Sequence, residues 1–117
     1  MEETHMERNY NKLVRDNIPE IIEESGRKPI TKTLNDTDYI IELEVKLLEE
    51  LYEYMSSKEI EELADIEEVI LALVKAKKIT PEHFTHIREE KKRLRGGFDK
   101  KVYLEKVISK DAIGKID

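Results

Sequence analysis

Apolar positions step by three and four along two neighbouring stretches of the chain. In the first, Ile40, Leu43, Leu47 and Tyr54 fall on one face, with Glu50 in line between them. In the second, Glu62 leads into Ile66, Val69 and Leu73. That period predicts amphipathic helices over about Asp38 to Tyr54 and about Ser57 to Lys78. Ser56 followed by Glu59 has the spacing of a capping box, which places the start of the second helix near Ser57. Two flanking helices are also expected. Asp16 or Asn17 can cap a helix with Pro19 in its first turn, running to about Ser25 and stopping at Gly26. Thr80-Pro81-Glu82 opens another, with Phe84, Ile87 and Leu94 on one face, which Arg95-Gly96-Gly97-Phe98 ends. Arg27 to Asp36 reads as a connection containing Pro29. Lys101 to Val107 alternates apolar and charged residues, as a short strand or an arm laid over a neighbour would. The expected architecture is all-α: a helical bundle of about four helices around a central antiparallel pair. Residues 1–9 read as a disordered or foreign tail, and residues 10–117 as a single domain.

Composition limits how that bundle closes. Of the 117 residues, 38% are apolar and 6% aromatic, and there is no Trp. This is lean for a self-sufficient core and suits a helical oligomer. There is no Cys, which excludes disulfide frameworks and thiolate chemistry. No apolar run approaches the ~18 residues of a membrane span, so a cytoplasmic protein with no membrane partner is expected. The net charge of −6 is unevenly spread. Glu42 to Glu68 carries eleven acids against two bases, and Lys75 to Lys101 ten bases against four acids. An acidic stretch followed by a basic one suits a site for a metal and the anion that it carries; ordinary pairing between neighbouring helices explains part of it.

The acids hold the candidate chemistry. Glu49-Glu50-Leu51-Tyr52-Glu53 on the first arm and Glu62-Leu63-Ala64-Asp65 on the second each place two carboxylates three residues apart, on one face of a helix. Carboxylates facing a partly dry groove repel one another and raise each other's pKa, and a divalent cation relieves that. Oxygen donors from two helices suit Mg2+ or Mn2+, with coordination positions left for water and phosphate. Any single Glu in a chain with 41% charged residues is better read as solvated helix surface; four on the inner side of one hairpin point to metal. His83 and His86 stand three apart and are read as surface residues, with carboxylates available elsewhere. Gly96-Gly97 follows a helix and opens none, so it is no helix-N-terminal phosphate site. Arg95, Lys100 and Lys101 around it are equally consistent with a phosphate-binding loop and with a glycine cap beside incidental cations.

The pattern Glu49-Glu50-x-x-Glu53 with Glu62-x-x-Asp65 resembles the EExxE…ExxD signature of the all-α nucleoside triphosphate pyrophosphatases. Lys12-Leu13-Val14-Arg15-Asp16-Asn17-Ile18-Pro19 and Arg95-Gly96-Gly97-Phe98 are similar to the MazG-like, phosphoribosyl-ATP pyrophosphohydrolase-like branch. The resemblance runs from about Tyr10 to Val107. Eight residues separate Glu53 from Glu62, fewer than in many MazG proteins, which implies a shorter hairpin and weakens any transfer of substrate from MazG itself. The resemblance implies an oligomeric helical hydrolase, a homodimer or homotetramer, that cleaves a nucleoside triphosphate to monophosphate and pyrophosphate with Mg2+, or with Mn2+. A role in clearing non-standard nucleotides would fit. It implies Glu50, Glu53, Glu62 and Asp65 as metal ligands, and Glu49 as the residue that orients or deprotonates water. Lys12, Arg15, Arg95, Lys100 and Lys101 would hold phosphates. A nucleic-acid polymer is not an expected partner. The alternative is a non-catalytic helical module of the same fold that binds nucleotides or another protein.

Overall fold

A computed structural model describes residues 5–110. Four α-helices lie among them and no strand: α1 (Ile18–Glu24), α2 (Asp36–Ser57), α3 (Ile60–Ala76) and α4 (Pro81–Arg95). The chain forms two compact units, Met1–Phe84 and Thr85–Asp117, divided after the first turn of α4. Residues 5–9 have no regular structure, and 1–4 of the expected tail lie outside the described residues.

Local chemistry sets most of the helix ends. Pro19 lies in the first turn of α1, where a missing N–H costs nothing, although Asn17 caps that helix without a side-chain hydrogen bond. Beyond its C-terminus Gly26 takes φ +86°, the left-handed conformation that closes a helix cheaply only at glycine. The Asn35 side chain accepts a hydrogen bond from the Asp38 N–H at 2.8 Å and starts α2. Thr80 Oγ1 accepts one from the His83 N–H at 3.1 Å and starts α4, with Pro81 as its first residue.

The junction between α2 and α3 departs from expectation. The Ser56–Glu59 capping box does not form. Ser56 stays inside α2, its hydroxyl donating to the Tyr52 carbonyl at 3.0 Å, and α2 runs three residues beyond the expected Tyr54. The turn is made by Lys58, at φ +60°, and Glu59, whose N–H donates to Ser57 Oγ. Helix α3 therefore begins at Ile60 and ends at Ala76, before the expected Lys78. A serine hydroxyl that already serves the preceding turn is not available to cap the next helix.

So short a link folds α3 back against α2, and these two helices form the main packed pair of the first unit. Leu43 is 3% exposed and Val69 8%, and they are the buried apolar side chains among the described residues. Ile40, Leu47 and Tyr54 on α2 and Ile66, Ile70 and Leu73 on α3 are half-buried around them. The inner face is thus the stripe expected from the sequence. A second apolar stripe on α2, Ile41, Val45, Leu48, Tyr52 and Met55, lies between 50% and 73% exposed. In the second unit, residues 101–108 form neither helix nor strand, so the short strand allowed by their alternation is absent there.

Candidate metal centre

Glu50 lies in the inner stripe of α2, two turns after Leu43 and one before Tyr54, and Glu62 and Asp65 lie in the first two turns of α3. The tight link places these stretches side by side. One carboxylate oxygen from each of Glu50, Glu62 and Asp65 lies within 4.8 Å of the others, and all three residues are half-buried. Two helices thus converge three hard oxygen donors near the turn. Around an octahedral Mg2+ with oxygens at about 2.1 Å, neighbouring ligand oxygens stand only about 3 Å apart, so a trio spread over up to 4.8 Å must draw in by up to about 2 Å, a movement that side-chain rotation can supply. The donor set fits an oxygen-preferring divalent ion.

Glu53 is brought near but not into the trio. It is exposed, yet its charge reaches Glu62. The Glu62 carboxyl is pushed above its ordinary value by loss of hydration, by the charges of Asp65, Glu50 and Glu53, and by a hydrogen bond with Asp65. A carboxyl raised by like charges marks the place where a cation is most favoured.

Cations already approach this cluster from three positions. Arg15 donates to Asp65 Oδ1 at 2.6 Å, and Lys12 to Glu49 Oε1 at 3.0 Å, both from the segment before α1. Lys46, on α2 itself, lies 3.5 Å from Glu49 and 3.3 Å from Glu50. Partial burial pushes the Glu49 carboxyl up. The Lys12 hydrogen bond, the charges of Lys46 and Lys12 and the Lys46 hydrogen bond outweigh that and hold it below the ordinary value. A carboxylate so held is a poor proton acceptor and a good fixed acceptor of hydrogen bonds. The geometry therefore favours Glu49 as an orienting group over Glu49 as a base.

Arg95, Lys100 and Lys101 belong to the second unit and are exposed. Sequence reading passed over Lys46, although a lysine three and four residues before two glutamates on a helix is a recognisable pairing signal. A shallow depression lined by Asp36, Tyr39, Ala72, Lys75, Ala76 and Lys78 lies at the far end of the hairpin. It has none of the trio's donors. No described helix is long and apolar enough to cross a membrane.

No family model matches the chain, and no solved structure matches it. A segment of 41 residues is 54% identical to a protein of Mycolicibacterium smegmatis (strain ATCC 700084 / mc(2)155) named only as uncharacterised. The match covers 35% of this chain and 42% of that protein, so the chain spans less than half of that relative's length. These comparisons assign no activity.

Proposed function

We propose that the chain is a divalent-metal-dependent nucleoside triphosphate pyrophosphohydrolase, releasing a monophosphate and pyrophosphate, of the MazG-like, phosphoribosyl-ATP pyrophosphohydrolase-like kind. One observation carries the reading: Glu50, Glu62 and Asp65 converge from two helices while Arg15 and Lys12 reach the same place from a third segment. Carboxylates alone would repel a triphosphate, and cations alone would bind it without activating water. Their juxtaposition suits a metal-bound polyphosphate.

In this reading Glu50, Glu62 and Asp65 hold Mg2+ or Mn2+, and Glu53 completes the set by rotating inward. The ion supplies charge neutralisation on the phosphates and a more acidic water. Glu49, fixed by Lys12, accepts a hydrogen bond from the attacking water and aligns it. Arg15 exchanges Asp65 for phosphate oxygens, which it grips in bidentate fashion, while the Lys12 ammonium, with three donors, keeps Glu49 and reaches a phosphate oxygen as well. Arg95, Lys100 and Lys101 are further phosphate-binding candidates.

A second copy of the chain completes the fold. Ile41, Val45, Leu48, Tyr52 and Met55 recur at intervals of four, three, four and three, the spacing of a helix–helix seam, and all are exposed. A helix with apolar stripes on both faces needs partners on both.

Incubation with Mg2+ and a panel of triphosphates, canonical and damaged, tests the activity. Monophosphate and pyrophosphate should appear in equal amounts, and Asp65→Asn should abolish both with helical content unchanged. Full activity in Asp65→Asn, or no product from any triphosphate, refutes the assignment. A non-catalytic nucleotide-binding module of the same fold is favoured by one feature, the engagement of Glu49 by two ammonium groups. It predicts Mg2+-dependent nucleotide binding without pyrophosphate release.

A further inference from the structure

Two of the three converging carboxylates are held by the chain's own cations. Lys46 Nζ stands 3.3 Å from Glu50, and Arg15 donates to Asp65 at 2.6 Å. The Lys46 side chain is 16% exposed and that of Glu50 12%, so this ammonium is withdrawn from water and directed at the acids. Arg15 differs. Its side chain is 55% exposed, and it sits on irregular chain before α1, bound to an acid fifty residues away.

An oxygen bound to a divalent ion at about 2.1 Å cannot keep a close ammonium partner without strong repulsion between the two cations. Resting on the metal-centre reading above, we propose that Lys46 and Arg15 are internal competitors of the divalent ion. They neutralise Glu50 and Asp65 when no ion is bound, and the ion displaces them on entry. The lysine has a flexible four-carbon stem, and Arg15 lies outside both helices on irregular chain, so each side chain can leave without disturbing α2 or α3. Displacement frees a guanidinium and an ammonium beside the newly bound metal, where a polyphosphate oxygen can take them. Metal loading therefore prepares the anion site, and the ion lowers the cost of bringing in the triphosphate. The binding order is metal first, polyphosphate second.

The proposal reverses the usual expectation for deleting a residue at a binding site. Removing a competitor tightens metal binding, whereas removing a merely structural residue leaves it unchanged or weakens it. The test measures Mn2+ binding by electron paramagnetic resonance at fixed ionic strength for the wild-type chain, Lys46→Met and Arg15→Gln. Circular dichroism and thermal melts in EDTA accompany it. Arg15→Gln should bind Mn2+ about two- to fivefold tighter, the range expected of a largely exposed ion pair. Lys46→Met should bind about five- to tenfold tighter, since its ammonium is more withdrawn from water. Both variants should melt lower than wild type in EDTA. Unchanged or weaker Mn2+ binding in either folded variant overturns the proposal. Arg15→Gln lies at the surface and decides the matter if Lys46→Met does not fold. If wild type and variants all fail to bind Mn2+, the metal centre itself falls and this inference with it; if all bind equally, only the inference falls.

Discussion

Addition of Mg2+ should stabilise the folded chain, and the size of the effect can be worked from the site. Five carboxylates, Glu49, Glu50, Glu53, Glu62 and Asp65, face three cations, Lys12, Arg15 and Lys46. Two negative charges remain, which one divalent ion neutralises. A half-buried carboxylate site whose ligands must draw inward is weak, with a dissociation constant on the order of 1 mM. At about 10 mM Mg2+ the linkage relation gives about 1.4 kcal/mol. For a chain of 117 residues that is a rise in Tm of about 6 °C. Differential scanning fluorimetry from 0.1 to ~20 mM Mg2+, with NaCl adjusted to constant ionic strength, measures it against the screening of surface charge. The rise should shrink to that of the NaCl control in Glu50→Gln/Asp65→Asn. An equal rise in NaCl alone, or a full rise in that double variant, refutes the premise that these carboxylates form one cation site.

The remaining predictions concern pH, the core and the outer stripe of α2. Glu62 keeps its proton longer in the folded state than in the unfolded chain, so its ionisation costs stability as pH rises from the ordinary value near 4.5 through its raised value. Glu62→Gln should therefore raise Tm at pH 7 in EDTA and have little effect at pH 4, as melts at the two pH values will show. Glu49 has the opposite sign: its lowered pKa gives stability that is present above about 4.5 and lost as pH falls through the depressed value, so Lys12→Ala should flatten the acid limb of an unfolding curve. Leu43→Ala removes one of the few buried side chains and should cost about 2–5 kcal/mol in urea denaturation. Leu48→Glu should leave a smaller species by analytical ultracentrifugation while the wild type sediments as an oligomer; identical sedimentation would assign the stripe to another partner.

Much of the helical frame was legible in the chain because its signals are local. Thr80 with Pro81, and Gly26, act on backbone groups within four residues and mark helix ends where expected, while Asn35 starts α2 two residues ahead of the expected Asp38. The stripe through Leu43 and the one through Val69 were identifiable as inner faces, since each carries a regular apolar period. The capping-box reading of Ser56 and Glu59 failed because two local hydrogen bonds competed for one hydroxyl, and continuation of α2 to its packed length won. Glu50, Glu62 and Asp65 were candidates by spacing alone, but only the two-residue link at Lys58 and Glu59 decided that three carboxylates meet while Glu53 stays outside. The pairs Lys12–Glu49 and Arg15–Asp65 join residues 37 and 50 positions apart, and no periodicity relates such distant partners. Sequence determined which side chains share a helix face, because helical geometry is fixed by the backbone. Tertiary structure decided which faces meet, because that depends on where a short turn returns the chain and which charges it brings together.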